Sequence, residues 1–255
     1  MIIEPNYIKK GRIFIREEPE KFKLEETTIW SFPDRGKWAT HSGKYRGNWS
    51  PYIPRNLILR YSKENDWILD QFLGSGTTLI EAKLLGRNAI GIDVNPEAIK
   101  LSNLNLNFSN HSNSKIFTQQ GSARNLSFIK DNSIDLICTH PPYANIIEYS
   151  QDIAEDISHL PYDGFISAMK NVAKESERVL KPKAVCAFMI GDIREKGYVR
   201  SLGMDTVNVF IEIGFKLKEI VIKEQHNCRS TKYWKSRKKD FLMLVHEYIF
   251  ILEKQ

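Results

Sequence analysis

The sequence predicts an α/β fold, a doubly wound and mostly parallel sheet with an antiparallel hairpin at one edge. Between residues 67 and 214, short apolar runs alternate with segments of helical spacing, as in chains whose parallel strands are joined by helices. The last two apolar runs, FKLKEIVIKE and DFLMLVHEYIFILE, have no helix between them and are expected to pair as antiparallel neighbours. With 255 residues, 42% of them apolar, the chain can build a sizeable core.

Glycine, proline and capping residues bound the first elements. Residues 1–50 show little periodicity and are expected to form an N-terminal extension of looping chain, followed by the main domain over residues 51–255. RNLILRYS predicts a short helix and WILDQF the first strand of the alternation. TLIEAKLLG predicts a helix with a capping box from Thr78 to Glu81 and Gly86 as its stop. NAIGID is the next strand, and Asn95-Pro96 begins another helix.

The alternation continues to the end of the chain. SKIFTQQ and IDLICTH predict two strands, DGFISAMKNVAKESERVLK a helix, AVCAFMIGD a strand and GMDTVNVFIEIG a helix that ends at Gly214. Cys138 and Cys186 lie in apolar runs and are expected in the core, and the histidines show no metal spacing, so we expect no metal site. The absence of a signal-peptide pattern and of a membrane-spanning run predicts a cytoplasmic protein without membrane contact.

The glycine turn LGSGTT follows the first strand of the alternation. Ligands of open parallel sheets bind where the strands end, and Gly74 and Gly76 permit a tight turn that a ligand can approach closely. Asp93 ends the next strand about 20 residues beyond Phe72, where an acid can accept hydrogen bonds from ribose hydroxyls. The spacing predicts a nucleoside-containing cofactor, with a plain strand-to-helix turn as the alternative. The third glycine of the dinucleotide fingerprint and the Gly-Lys-Ser/Thr of a phosphate loop are missing.

A proline loop, His140-Pro141-Pro142-Tyr143, follows the apolar run IDLIC. Two prolines cannot extend a central strand, so they stiffen the loop and leave the Pro141 carbonyl as an acceptor. A neutral histidine can accept one hydrogen bond, and the face of a tyrosine ring can stack on a base with about 1–3 kcal/mol. Such a rigid loop with an aromatic ring at its tip is suited to holding a ligand, with a structural Pro-Pro turn as the alternative. The ring face of Tyr143 is expected to matter more than its hydroxyl, so that Tyr143→Phe should have a mild effect.

The two motifs together resemble the amino-directed DNA methyltransferases, which make N6-methyladenine or N4-methylcytosine, over about residues 41–250. The resemblance implies a Rossmann-like methyltransferase sheet, S-adenosylmethionine as the cofactor and a target base flipped out of the duplex. It implies cofactor binding by Asp70, Phe72, Gly74, Ser75, Gly76, Thr77, Asp93 and Ser122, the last at a position that is usually acidic. It implies catalysis by His140, Pro141, Pro142 and Tyr143, with His140 where the family usually has Asp or Ser.

Further segments of the sequence indicate nucleic acid. The net charge of +6 favours an anionic partner. Cationic residues interleaved with Tyr233 and Trp234 are typical of a segment that contacts nucleic acid. The alternative is a solvated hairpin loop. The cationic residues are Arg229, Lys232, Lys235, Arg237, Lys238 and Lys239. The segment HSGKYRGNWSPYIP resembles the family segment that packs over the methionine end of the cofactor. Its candidates are Tyr45, Ser50, Pro51 and Tyr52.

The sequence therefore predicts a site-specific DNA methyltransferase that modifies the exocyclic amino group of a flipped base. Cytosine N4 is favoured over adenine N6, because ICTHPPYANIIEY is closer to the Thr-Ser-Pro-Pro-Tyr form of the family motif than to its Asp form. An RNA or tRNA guanine-N2 methyltransferase is the alternative enzyme, and a non-catalytic nucleic-acid-binding subunit is the alternative of another class. DNA is the expected partner, with RNA as the alternative. A specificity subunit or a cognate restriction enzyme is a further candidate partner.

Overall fold

The computed structural model describes residues 7–9, 12–14, 17–110, 112–143, 153–226 and 240–255. The strands there are β1 Tyr7–Lys9, β2 Arg12–Phe14, β3 Ile29–Ser31, β4 Trp67–Asp70, β5 Asn88–Asp93, β6 Ile116–Gln120, β7 Ile134–Thr139, β8 Leu180–Ile190, β9 Ile193–Glu195, β10 Tyr198–Arg200, β11 Lys216–Glu224 and β12 His246–Glu253. The helices are α1 Tyr52–Tyr61, α2 Thr77–Leu84, α3 Pro96–Leu106, α4 Tyr162–Val179 and α5 Leu202–Ile213, with a 3-10 turn at Ile157–His159. None of these helices has both the length and the apolar character needed to cross a lipid bilayer.

Eight strands form one sheet in the order β3-β11-β12-β8-β7-β4-β5-β6. The five strands from β8 to β6 are parallel to one another, whereas β12 is antiparallel to both β8 and β11. This topology confirms the predicted doubly wound fold with an antiparallel hairpin. The hairpin does not form the outer edge, because β3 pairs in parallel with β11 beyond it. A three-residue strand in which only Trp30 is buried is too short to produce a periodic pattern, so the sequence did not reveal it.

Both faces of the sheet are covered by helices, which gives the core two halves. Alternate residues of β8 show the division: Cys186, Phe188 and Ile190 pack with α4 and α5, and Val185, Ala187 and Met189 pack with α1 and α2. The prediction that Cys138 and Cys186 are core residues is confirmed, since both are fully buried.

Most predicted helix ends occur where the sequence places them. Asn95 caps α3 by accepting a hydrogen bond from the N–H of Glu97, and Pro96 is the first helical residue. Gly86 and Gly214 follow α2 and α5 with φ angles of +76° and +121°, a region that favours glycine.

The predicted capping box at the start of α2 is wrong. Glu81 is fully buried, and its side chain turns away from Thr78 toward three donors from distant parts of the chain. The Nη1 atom of Arg55 donates to it at 2.9 Å and the indole N–H of Trp38 at 2.7 Å, and His41 Nε2 lies 2.6 Å away. Because a buried carboxylate needs such partners, tertiary contacts override the local cap and tie residues 38–41 to α1 and α2.

Candidate functional site

A cavity opens at the carboxyl ends of β4, β5 and β7. The chain crosses from β4 to β5 and β6 on one side and then returns to β7 on the other, so this is the point where the strand order reverses. Ligands of open α/β sheets bind at such a point. The cavity is lined by residues 45–49, 70–74, 93–95, 122–124 and 155–157 together with His140, Pro142 and Val172.

The structure brings many of the predicted site residues to this cavity. Those that line it are Asp70, Phe72, Gly74, Asp93, Ser122, His140 and Pro142. The predicted residues that follow these in the chain without lining the cavity are Ser75, Gly76, Thr77, Pro141 and Tyr143. The predicted phosphate contacts Arg229, Lys232, Lys235, Arg237, Lys238 and Lys239 lie outside the described residues.

Backbone geometry explains the two glycines of the turn. Gly74 has a φ of +51° and Gly76 a φ of +87°, both in the left-handed region. A Cβ atom at Gly74 would lie 3.0 Å from the ring of Tyr45, and one at Gly76 would lie 3.1 Å from Cβ of Ser102. The turn therefore packs tightly on both sides, and its Gly74 end faces the cavity.

Asn48 connects residues 45–49 to the glycine turn. Its Nδ2 atom donates to Ser75 Oγ at 2.7 Å, and its Oδ1 atom accepts a hydrogen bond from the Thr77 hydroxyl. Ser75 and Thr77, which are predicted to touch the cofactor, thus also hold the segment that forms one cavity wall. Sequence reasoning missed Asn48 because neither periodicity nor motif marks it.

The candidates from the segment before α1 divide between two places. Tyr45 lines the cavity, as expected for a residue near the cofactor. Ser50 donates to the Arg35 carbonyl at 2.9 Å, Pro51 lies at the start of α1, and Tyr52 stacks on Phe32. These three residues anchor the segment and do not line the cavity.

Asp93 joins the glycine turn to the start of α3. Its Oδ2 atom accepts from the N–H of Gly74 at 2.8 Å and its Oδ1 atom from the N–H of Asn95 at 2.9 Å. Burial raises the pKa of Asp93. The two backbone hydrogen bonds act to lower this pKa, and the charge of nearby Asp156 acts to raise it further. A carboxylate has about four acceptor positions, so two bonds leave capacity for a ligand in the cavity.

Asp70 presents a buried carboxyl group to the same cavity. Its Oδ1 atom accepts from the Thr139 hydroxyl at 2.7 Å and from the N–H of Phe72 at 3.1 Å. Burial raises the pKa of Asp70 to about 6, although both hydrogen bonds act in the opposite direction. No cationic side chain among the described residues pairs with Asp70, so a positively charged ligand would stabilise its ionised form.

His140 supplies an acceptor atom beside the proline loop. Its ring stacks on Trp49 with centroids 5.6 Å apart, and its Nε2 atom is buried without a hydrogen-bond partner among the described residues. Burial lowers the pKa of His140 to about 4, with nearby Lys223 acting in the same direction and Glu247 opposing it. A hydrogen bond with the Gly47 backbone occupies the other ring nitrogen, which places the proton of the neutral ring on Nδ1. Nε2 is then left as an acceptor.

Tyr143 has a partner that the sequence does not reveal. Its hydroxyl donates to Glu247 Oε1, and Lys223 Nζ donates to Glu247 Oε2 at 2.9 Å. Burial alone would raise the pKa of Glu247. The charges of Lys223 and His140 and the hydrogen bonds from Lys223 and Tyr143 outweigh burial, so the pKa of Glu247 lies below its usual range. The Tyr143 hydroxyl, which the sequence suggests is less important than the ring, is thus engaged with a buried carboxylate.

Ser122 is already engaged with a neighbour. Its Oγ atom accepts from the N–H of Arg124 at 3.3 Å and from the Nε atom of the same residue at 3.4 Å. Two acidic residues, Glu155 and Asp156, also line the cavity, and the buried Asp156 caps the 3-10 turn by accepting from the N–H of Ser158 at 2.9 Å. Sequence reasoning missed Asp156, because its position follows from the fold and from no motif spacing.

Comparison with solved structures defines the class of fold. The chain is 18% identical to a SAM-dependent methyltransferase from Methanosarcina mazei, with a TM-score of 0.55 and coverage of 78% of this chain and 96% of that one. It is 20% identical to TrmN from Thermus thermophilus, with a TM-score of 0.57 and coverage of 82% and 50%. At this identity the likeness establishes a shared fold, that of the Rossmann-like methyltransferases.

The family follows from the sequence matches. A family model described as DNA methylase matches residues 2–104 and 134–255, and a model described as RMKL-like, methyltransferase domain matches residues 57–184. The chain belongs to the DNA methylase family. This confirms the predicted family of amino-directed methyltransferases, and with it S-adenosylmethionine as the cofactor.

Curated relatives match shorter stretches. The chain is 49% identical over 71 residues to the Type II methyltransferase M2.LlaDCHI of Lactococcus lactis, covering 28% of this chain and 25% of the relative. It is 44% identical over 77 residues to M2.DpnII of Streptococcus pneumoniae, covering 30% and 28%. The chain thus aligns with about a quarter of the length of these relatives.

The residues around the cavity fit S-adenosylmethionine, which combines a nucleoside with a cationic sulfonium. Asp93 retains acceptor capacity, and Gly74 lines the cavity in a backbone conformation that favours glycine. Asp70 is an acid whose ionisation a cation would favour. Across the described residues, no group of three or more His, Cys, Asp or Glu side chains is arranged to hold a metal ion.

Proposed function

We propose that this chain is an enzyme that transfers a methyl group from S-adenosylmethionine to the exocyclic amino group of a flipped base in DNA. The observation that carries the proposal is the buried Nε2 atom of His140, which has no hydrogen-bond partner in the part of the chain that the structure describes, in a residue that lines the same cavity as the glycine turn and Asp93. Membership of the DNA methylase family supports the substrate class.

The cofactor side of the cavity is assigned to three acidic residues and the glycine turn. Asp93 accepts hydrogen bonds from the ribose, and Asp70 faces the cationic end of the molecule. Asp156 and Ser122 lie on the side that would hold the adenine, with Asp156 supplying the acid that the chain lacks at position 122. The bound cofactor supplies an electrophilic methyl group.

The proline loop holds the amino group that is methylated. The lone pair of an exocyclic amino nitrogen is delocalised into the base, so acceptors that grip its N–H bonds favour a more tetrahedral nitrogen with an available lone pair. His140 Nε2 and the Pro141 carbonyl serve as these acceptors. The ring of Tyr143 stacks on the flipped base, and Pro142 forms the adjacent wall.

Cytosine N4 is the proposed target in preference to adenine N6. The support is the resemblance of the loop to the Ser-Pro-Pro-Tyr form of the family motif, together with the neutral state of His140, which matches an uncharged serine better than a carboxylate. The basic stretch from Arg229 to Lys239 is proposed to contact the phosphates of the DNA.

The experiment is a methylation assay with labelled S-adenosylmethionine, in which unmethylated duplex DNA and tRNA are offered separately and the products are digested to nucleosides. N4-methylcytosine from DNA is the expected product. N6-methyladenine would correct the target base, and N2-methylguanosine from tRNA would replace DNA with RNA as the substrate. Calorimetry separates the remaining case, because cofactor binding without methylation of either nucleic acid would indicate a non-catalytic subunit.

Within this assay, His140→Ala tests the acceptor. We expect the turnover number to fall strongly while the affinity for S-adenosylmethionine changes little, since the acceptor acts on the target amino group. Full activity of His140→Ala would show that the histidine is structural and would remove the observation on which the proposal rests.

A further inference from the structure

The hydroxyl of Tyr143 is bonded to the end of a distant strand. Glu247, the second residue of β12, accepts its hydrogen bond, although the two residues are 104 positions apart in the chain. The ring of His140 meets the Tyr143 ring edge-to-face, with centroids 5.9 Å apart and planes at 75°. Tyr143 is therefore held at its hydroxyl by one residue and at its ring by another.

Glu247 is itself fixed by a second partner. Only 6% of the residue is exposed, and its other carboxylate oxygen accepts from Lys223 Nζ at 2.9 Å. Lys223 lies on β11 directly opposite Glu247 in the strand pairing. A buried carboxylate without partners carries a large free-energy cost, so Lys223 keeps Glu247 ionised and oriented toward the tyrosine.

A second ion pair on the same two strands provides a comparison. Lys218 and Glu253 lie near the opposite end of β11 and β12, 3.1 Å apart, with side chains 43% and 26% exposed. The side chains of Lys223 and Glu247 are only 15% and 8% exposed, and Glu247 contacts Tyr143 of the proline loop. An exposed pair contributes little, whereas a buried and geometrically fixed pair can hold a third group in place.

We propose that Glu247 and Lys223 are positioning residues for methyl transfer, which orient the Tyr143 ring so that its face meets the flipped base. This inference rests on the proposed function. A tyrosine ring held only at its Cβ atom can rotate about two side-chain bonds, and a base stacked on a rotating ring is poorly aligned with the methyl donor. A hydrogen bond at the hydroxyl restricts rotation about the Cα–Cβ bond before the substrate binds, and the edge-to-face contact with His140 restricts rotation about the Cβ–Cγ bond, on whose axis the hydroxyl oxygen lies.

Three single variants test this chain of contacts. Tyr143→Phe removes the donor and keeps the ring. Glu247→Gln removes the charge of the acceptor, so the Tyr143 hydroxyl and Lys223 both lose a charge-assisted hydrogen bond, even where a weaker one to the neutral amide replaces it. Lys223→Met removes the ammonium group and keeps the length of the side chain. The matched controls are Glu253→Gln on the exposed pair and Tyr61→Phe, whose hydroxyl lies 3.4 Å from Glu219 at an exposed position.

The measurement is kcat/KM for methylation of unmethylated duplex DNA, with the dissociation constant of S-adenosylmethionine measured in parallel. We expect Tyr143→Phe and Glu247→Gln each to lower kcat/KM about 10-fold or more, as loss of a hydrogen bond to a charged group does, with little change in cofactor affinity or in the controls. The double variant should lose no more than the worse single variant, because both changes break the same contact.

Wild-type kcat/KM in both Tyr143→Phe and Glu247→Gln would overturn the inference, and so would losses that multiply in the double variant. An active wild type with unaffected variants overturns this inference alone. A wild type that binds the cofactor and methylates no DNA overturns the proposed function, and the positioning role with it.

Discussion

Replacement of Asp70 by asparagine should stabilise the protein and weaken its affinity for the cofactor. The asparagine Oδ1 atom can still accept from Thr139 and from the N–H of Phe72, so the local geometry is kept. What changes is the buried charge. The pKa of Asp70 is about 6 in the folded protein against 3.8 for the ordinary group, a difference that corresponds to about 3 kcal/mol at 1.36 kcal/mol per pKa unit.

The pH dependence gives this prediction its direction. A carboxyl group with a raised folded pKa disfavours the folded state above pH 6, where it must ionise while buried, and this cost disappears as the pH falls toward 3.8. Asp70→Asn should therefore unfold at higher temperature than the wild type at pH 7.5. Its free energy of unfolding should exceed that of the wild type by at most about 3 kcal/mol, and this difference should shrink between pH 6 and pH 4. Cofactor affinity of the wild type should weaken below about pH 6, and that of the variant should be weak throughout.

Thermal and denaturant unfolding across this pH range, together with calorimetry of S-adenosylmethionine binding, test the two effects separately. A variant less stable than the wild type at pH 7.5 would show that the Asp70 carboxylate is well compensated inside the protein. Unchanged cofactor affinity would show that Asp70 does not face the cationic group.

Three further predictions concern the rest of the site. Asp93→Ala should weaken S-adenosylmethionine binding about 10-fold or more, as measured by calorimetry. The control is Asp135→Ala, which removes a carboxylate that accepts from the N–H of Trp67 and should lower stability while leaving the affinity for S-adenosylmethionine unchanged. The pKa of His140 is about 4, and only its neutral ring accepts a hydrogen bond. Protonation of His140 should therefore leave kcat at saturating cofactor unaffected down to about pH 5 and lower it as the pH approaches 4. NMR titration of the labelled ring can check the pKa. Neutralising Lys235, Arg237, Lys238 and Lys239 should reduce the slope of log K for DNA binding against log salt concentration by roughly 0.9 per lost contact. An unchanged slope would show that these residues do not contact the DNA phosphates.

Local chemistry explains what the sequence could predict. Asn95-Pro96, Gly86 and Gly214 bound helices through backbone preferences that operate within a few residues, so the pattern of elements and the sheet class follow from the chain alone. The glycine turn and the acid at Asp93 are likewise separated by a fixed strand-helix-strand unit, which brings them together in any fold of this class.

Tertiary contacts explain what the sequence could not predict. Glu81 matches a capping box by spacing, yet buried donors from distant segments compete successfully for its carboxylate. Asn48 is recognisable only once the folded chain places it beside the glycine turn. Glu247 and Lys223 lie on two ordinary strands, and only the pairing of β11 with β12 reveals that the two side chains meet beside Tyr143.

The same contacts explain how histidine fits a position that usually carries Asp or Ser, and they separate two variants. The ring of His140 stacks on Trp49 and lies close enough to Glu247 for each to influence the pKa of the other. In His140→Asp a second carboxylate would share this space with Glu247, and Lys223 could neutralise only one of the two charges, so one carboxyl group would take up a proton and lose acceptor capacity. In His140→Ser the hydroxyl accepts without adding charge. We therefore expect His140→Ser to retain more activity than His140→Asp at pH 7 in the methylation assay, with the gap narrowing at higher pH as the shared proton is lost. Equal or greater activity of His140→Asp at pH 7 would show that Glu247 does not influence the acceptor.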